Sequence, residues 1–347
     1  MPASGFQVLS MTFVSDQRGF ALGSVGCATG RCGALLGTAD GGRTWHRLTR
    51  PTRALGGVYS TCQHGRPCVQ EVRFATPLIG YAFSPALLMT ADGGRHWHLL
   101  KMTGVTSLEA AGGTVVRVAA GYEGCAGAPY QVESAADGSN SWQAMPAPMI
   151  ETICPPVLYR QDSRIVLAGY GNAAGGVRAT ARIDRSADGG RTWTAGPDSC
   201  GGKDGYASTL ALAPPSTLVL VCKHQMPRHN GTFGPAWIRI STDDGSSFGA
   251  DEHLPMLPVP KGTITDYQLA AASAARLLVV ETGLSGSRLV RSDDGSRTWT
   301  TSLQFPGTGN VLLVGFEDPR TARVAQGDTV WTTRDGGRSW RADHFAS

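Results

Sequence analysis

One eight-residue motif returns along the whole chain and limits what it can fold into more than any other feature. It reads Thr38-Ala39-Asp40-Gly41-Gly42-Arg43-Thr44-Trp45 and recurs as Thr90-Ala91-Asp92-Gly93-Gly94-Arg95-His96-Trp97. A degenerate copy ends Asp137-Gly138-Ser139-Asn140-Ser141-Trp142. Ser186-Ala187-Asp188-Gly189-Gly190-Arg191-Thr192-Trp193 and Ser241-Thr242-Asp243-Asp244-Gly245-Ser246-Ser247-Phe248 follow. Ser292-Asp293-Asp294-Gly295-Ser296-Arg297-Thr298-Trp299 and Thr333-Arg334-Asp335-Gly336-Gly337-Arg338-Ser339-Trp340 complete the set. The closing aromatics lie 41 to 55 residues apart. A period near 50 over the whole length means one repeat architecture, not two unlike domains.

The motif has the chemistry of a turn. An Asp carboxylate accepts N–H bonds from the residues just ahead of it, and glycines supply positive φ. Ser or Thr hydroxyls bond locally, and the aromatic heads the next strand. Between motifs, runs of four to seven apolar residues are bounded by Gly, Pro and Asp, which reads as strand. The first repeat predicts strands at 8–14, 20–24, 34–38 and 45–48. The second predicts 69–75, 81–84, 86–90 and 97–100, and the seventh 311–316, 322–325, 328–332 and 340–344. Four strands in each of seven repeats predict an all-β fold, a single seven-bladed β-propeller spanning 1–347. Its blades fall at about 6–49, 69–100, 105–145, 156–195, 205–250, 265–303 and 308–345, each with the Asp motif at its C–D turn.

The motif is similar to the Asp-box, or BNR, repeat. The resemblance implies a structural role for Asp40, Asp92, Asp137, Asp188, Asp243, Asp294 and Asp335. Propellers of this kind include sialidases, xyloglucan-active glycoside hydrolases, sortilin-type receptors and photosystem assembly factors. The Arg-Ile-Pro signature of sialidases is missing here, and no position matches the catalytic aspartates of the two-propeller xyloglucan enzymes. The single-propeller assembly-factor type is nearest in length and repeat number. Segments such as Arg73–Tyr81 resemble exported actinobacterial BNR-like proteins.

Composition agrees with this reading. Hydrophobic residues make up 41%, enough for a core, and the 46 glycines follow no collagen period. Net charge is +4, from 27 Arg, 4 Lys and 27 acids, with the arginines scattered. That is no nucleic-acid footprint, and no apolar run is long enough for a membrane-spanning helix. No phosphate-cradling G-x-G-x-x-G opens a helix.

Cys27, Cys32, Cys62, Cys68, Cys125, Cys154, Cys200 and Cys222 form no C-x-x-C. Proximity favours Cys27–Cys32, Cys62–Cys68, Cys125–Cys154 and Cys200–Cys222, one of 105 connectivities. Four disulfides imply an oxidising, extracytoplasmic compartment, secreted or lipoprotein-anchored. The opening MPASGFQVLS carries no signal-peptide pattern, so a leader is expected to have been removed ahead of it.

A meander places A–B and C–D turns at one end of each blade, with B–C loops and blade-to-blade connections at the other. All eight cysteines and the longest irregular segments map to the second end, where binding residues concentrate on a rigid scaffold. Ligand candidates there are Tyr59, His64, Tyr122, Tyr130, Lys203, Tyr206, His224, Arg228, His229, His253 and Asp266. Glu123, Asp204 and Glu252 are candidate catalytic carboxylates, with Glu151 and Glu281 also near that end. His64, His224, His229 and His253 lack metal-ligand spacing, so neither metal nor cofactor is expected. The expected function is an exported, non-enzymatic monomer binding a protein or glycan through a disulfide-stapled face. The alternative is a glycoside hydrolase or lyase with a carboxylate pair on that face.

Overall fold

The computed structural model describes residues 5–27, 30–48, 68–101, 104–120, 129–148, 155–172, 179–197, 199–200, 205–224, 236–254, 264–283, 286–306 and 311–345. They form seven four-stranded antiparallel sheets, each a meander of consecutive strands A to D. Sheets 1 to 7 span 7–47, 71–101, 105–144, 157–195, 205–253, 264–304 and 311–344. This is the architecture of a seven-bladed β-propeller. Among the described residues there is no helix long and apolar enough to cross a membrane.

The chain divides into two compact units. One comprises 1–147, 325–331 and 342–347; the other comprises 148–324 and 332–341. In the first unit, Phe20, Leu22 and Leu35 of sheet 1 pack with Val72, Phe74 and Leu88 of sheet 2. The Phe20 and Phe74 rings stack 3.5 Å apart. Tyr81 and Phe83 of sheet 2 join Leu108 and Val115 of sheet 3 in the next layer. Residues near the C-terminus also belong here: Phe345 packs on Phe6 and Trp45, and Val8 donates its N–H to Gly327 O at 2.8 Å. In the second unit, Val166 and Ile183 of sheet 4 pack with Leu210, Leu220 and Trp237 of sheet 5. Val221 and Ile238 of sheet 5 then meet Leu269, Leu277 and Val279 of sheet 6.

Burial across a sheet follows from this layering. B strands such as Leu277–Gly283 and Ala322–Gln326 are buried throughout, because both their faces are covered. D strands such as His46–Arg47 and Thr194–Ala195 are exposed edges two residues long. The low charge content of the chain is the compositional form of this double coverage.

The observed strands follow the expected runs, with one informative difference. In sheet 1, strands B and C extend to Gly19–Cys27 and Gly30–Thr38. Cys27 and Cys32 therefore lie inside strands, where the expectation put both in a B–C loop. The pairing Val25↔Cys32 and Cys27↔Gly30 carries the ladder to the hairpin tip, and the Cys27–Cys32 disulfide closes it.

Candidate functional site

The two ends of the sheets are built differently. At one end lie the A–B and C–D turns. In every sheet the C–D turn donates a backbone N–H to a carbonyl of the A–B turn. The pairs are Gly41 to Gln17, Gly93 to Leu78, Asp137 to Gly113, Gly189 to Ser163, Asp244 to Ser216, Gly295 to Ala275 and Gly336 to Arg320, all at 2.8–3.0 Å.

Asp40 shows how each turn is held. Its Oδ1 accepts from Thr38 Oγ1 at 2.8 Å and from the N–H groups of Arg43 and Thr44 at 3.0 Å. Its Oδ2 accepts from Thr44 Oγ1 at 2.6 Å. Thr38 Oγ1 in turn accepts from Gly42 N–H, and Trp45 Nε1 donates to Gly42 O. Gly41 and Gly42 stand at φ of 76° and 85°, the left-handed region that the tight turn requires. Asp92, Asp188, Asp243, Asp294 and Asp335 repeat the arrangement. These hydrogen bonds outweigh desolvation and hold the Asp40 carboxyl well below the usual range; Asp294 is held at about 2. In the second turn, His96 Nδ1 takes the hydroxyl's place, 2.6 Å from Asp92 Oδ2.

The third turn departs from the pattern because Ala135 stands where the others carry Ser or Thr. There Asp137 N–H takes the A–B turn carbonyl that the following residue takes elsewhere, and Gly138 N–H donates to the phenolic oxygen of Tyr81, at 2.8 Å.

The opposite end carries the bridges. Cys27–Cys32 and Cys200–Cys222 have Cα separations of 5.9 and 5.8 Å, and Cys68 is also disulfide-bonded. Cys62, Cys125 and Cys154 lie outside the described residues. So do Tyr59, His64, Tyr122, Glu123, Glu151, Lys203, Asp204, Arg228 and His229. In sheet 5, Gly205 pairs with His224, Tyr206 with Lys223, Trp237 with His253 and Ile238 with Glu252. Tyr206, His224, Glu252 and His253 thus share one end of one sheet. Asp266 is exposed beside a bulge in strand A of sheet 6. Tyr130 is 3% exposed, so its ring belongs to the core and offers no surface. Glu281 is fully buried and accepts from Arg288 Nε at 2.6 Å.

Strand A of sheet 5 also bulges at this end, between Ala207 and Thr209. Beside the bulge lies an open cleft of about 50 Å³ between sheets 4 and 5. Val157, Tyr159, Ala168 and Leu210 give it an apolar wall; Arg182, Ser208 and Thr209 give it polar groups. Val157 is 49% exposed at its rim. Arg182 Nε lies 3.3 Å from Asp184 Oδ1, with the Asp184 side chain fully buried and that of Arg182 39% exposed. Burial pushes the Asp184 carboxyl up, against the pull of Arg182. The Cys200–Cys222 bridge packs in the same layer as Tyr159, Ala168 and Ala207. Sequence reading missed this cleft. Its residues sit within strands, and no spacing along the chain shows that sheets 4 and 5 bring them together.

Several acids elsewhere pair with arginine. Arg73 lies 3.0 Å from Glu109 and 3.6 Å from Glu71, on neighbouring A strands. Arg117 pairs with Glu133 at 2.8 Å and Arg239 with Asp251 at 3.1 Å. Among the described residues, no group of three metal-ligating side chains comes together.

No family model matches the chain, and no curated protein matches it. Solved structures do. YCF48 bound to D1 peptide is 18% identical with a TM-score of 0.58, over 100% of this chain and 95% of that one. The β-propeller domain of the Trilobed protease from Pyrococcus furiosus is 8% identical with a TM-score of 0.58, over 99% of both. The GH74 enzyme from Niastella koreensis is 12% identical with a TM-score of 0.50, over 97% of this chain and 65% of that one. At these identities the likeness shows the fold, a seven-bladed β-propeller. Binding proteins and glycoside hydrolases both occur among the neighbours.

Proposed function

We propose that this chain is an exported Asp-box propeller that binds a protein or glycan partner through its bridged loop end, without catalysing a reaction. The observation that carries the reading is the cleft between sheets 4 and 5. It sits at the end opposite the Asp turns, and its described lining combines a cation, hydroxyls and apolar groups but no carboxylate. Glycoside hydrolysis needs two carboxylates about 5–9.5 Å apart around one sugar bond. Six of the Asp-turn carboxylates are occupied by their own turns, and Glu71, Glu109, Glu133 and Glu281 by arginines. Bridges that hold loops before binding lower the entropic cost of association. Disulfides are compatible with an extracytoplasmic location. The peptide-bound state of YCF48 supports a binding role for a propeller of this length.

Peptide and glycan arrays probed with the oxidised protein, beside a reducing-sugar release screen, test this. The expected result is retention of one ligand class without turnover. Turnover of any glycan that is lost on Glu123→Gln, Asp204→Asn or Glu252→Gln overturns the reading in favour of a hydrolase or lyase.

A further inference from the structure

The cleft between sheets 4 and 5 is small. At about 50 Å³ it lies well below the size of an enclosing ligand pocket and seats one small group at an open surface, not a polymer segment. Its wall of Val157, Tyr159, Ala168 and Leu210 suits a short apolar group. Its cation is placed differently from the other arginines described above. Arg73, Arg117 and Arg288 are largely buried against their carboxylates, with side chains 23%, 7% and 12% exposed. Arg182 is 39% exposed while its partner Asp184 is fully buried behind it. Among the described residues Asp184 is the one partner of the guanidinium, and it engages only Nε. The terminal nitrogens remain, in the planar fork that matches a carboxylate. Ser208 and Thr209, at the bulge, add two hydroxyl-bearing residues on the facing strand.

We propose that this cleft is a carboxylate subsite. Arg182 holds the carboxylate, Ser208 and Thr209 flank it, and Val157, Tyr159, Ala168 and Leu210 hold the short apolar group beside it. The ligand is a peptide that ends in, or carries, an acidic group next to a small aliphatic one. The inference rests on the loop-end binding reading and narrows it to one ligand chemistry. The bridge Cys200–Cys222, whose Cys222 pairs with Ala207 across the ladder, fixes the strand that carries the hydroxyls.

The test uses the full oxidised chain and three probes in saturation-transfer NMR titrations. They are acetyl-Ala-Ala-Val as free acid, the same peptide as C-terminal amide, and acetyl-Ala-Asp-Val amide. The free acid is expected to bind at least tenfold more tightly than the plain amide. If the internal Asp restores binding, the carboxylate source is a side chain; if not, it is a chain terminus. Arg182→Met is expected to lower free-acid affinity at least tenfold and leave amide binding unchanged, and Arg182→Lys to recover part of the loss. Because Arg182→Met strips Asp184 of its partner, Val157→Asp is the companion variant. It sits at an exposed rim, leaves the sheet intact and places a negative charge against the ligand, so it too is expected to lose free-acid binding. Equal affinity for acid and amide, wild-type affinity in both Arg182→Met and Val157→Asp, or no binding of any probe overturns the subsite. A partner retained on the arrays equally by wild type and Arg182→Met leaves the loop-end reading standing without this subsite. Arrays that retain nothing remove both.

Discussion

The Asp-turn end and the loop end of the same sheets solve opposite problems. Each Asp turn is a closed local network in which one carboxylate satisfies three or four donors within five residues. The donors to the carboxylate all come from the turn itself, so this part of the solution repeats with almost the same distances in six of seven sheets. The loop end has no such local solution. There, covalent bridges, bulges and cross-sheet packing set the geometry, and each sheet differs from the next. Regularity marks the end whose work is finished within the fold; irregularity marks the end free to meet something else.

Substitutions at the turn glycines should break this comparison hardest. Gly94 stands at φ +88°, and an added Cβ would meet Leu35 Cδ2 at 2.3 Å. Gly189 stands at φ +76° with nothing within 4 Å. Gly94→Ala combines left-handed strain with overpacking and is expected to cost about 3–4 kcal/mol. Gly189→Ala carries strain alone, about 1–2 kcal/mol. Urea unfolding separates them. Equal losses would show that steric fit against the neighbouring sheet contributes nothing.

At the loop end the covalent ties are the measure. Chain-entropy arguments give roughly 3 kcal/mol for a bridge closing 22 residues and roughly 2 kcal/mol for one closing five. The double variant Cys200→Ala/Cys222→Ala should therefore lose more stability than Cys27→Ala/Cys32→Ala, by about 1 kcal/mol. It should also weaken any ligand of the sheet 4–5 cleft, which the other pair leaves untouched. If both pairs weaken the ligand alike, the bridge beside Ala207 has no special hold on the cleft.

The same contrast explains what could be read from the chain. The turns were legible because all their chemistry is local: Thr38, Asp40, Gly42 and Trp45 are neighbours in sequence and in space. Counting the turns gave seven sheets, and the apolar runs between them gave four strands each. The cleft was illegible for the converse reason. Tyr159, Arg182 and Ser208 belong to three strands and two sheets, and the feature that joins them is a register shift with no sequence mark. Tyr130 erred the same way. An aromatic beside a long loop reads as surface until the ladder with Ala120 carries it into the core.

The third turn gives a smaller effect that refines the comparison from within. There Asp137 N–H reaches the A–B turn in place of the glycine N–H, and Tyr81 from sheet 2 supplies the acceptor that Gly138 N–H then needs. Tyr81→Phe is expected to cost about 1 kcal/mol by leaving that N–H without its acceptor. Asp40→Ala, which strips four donors at once, is expected to cost about 2 kcal/mol. A Tyr81→Phe variant as stable as wild type would mean that the third turn needs no acceptor from sheet 2.

Acid titration gives the smallest and most distributed effect. Hydrogen bonds from the Thr298 and Ser292 side chains and the Thr298 N–H hold Asp294 at about 2, against 3.8 for a free carboxyl. The carboxyls of Asp40, Asp92, Asp188, Asp243 and Asp335 are lowered as well, by the same kind of donors. A lowered folded value means that the stabilisation is complete above 3.8 and is lost as pH falls toward 2. Burial shifts Asp184, Glu281 and Glu317 the other way, against the pull of their arginines. Those three favour the protonated form on folding, so their contribution is present at low pH and is lost as pH rises through their raised values. Six turns outnumber three buried acids and all six titrate in one direction, so the turns set the acid limb. Thermal melts should decline below about pH 4. Asp294→Asn should lower the melting temperature at neutral pH yet flatten the decline between about pH 4 and about pH 2, because one titrating group has been removed from the sum. A variant whose acid limb keeps the wild-type slope would assign that limb to the loop end, and with it the claim that the Asp turns are finished, self-contained structures would fail.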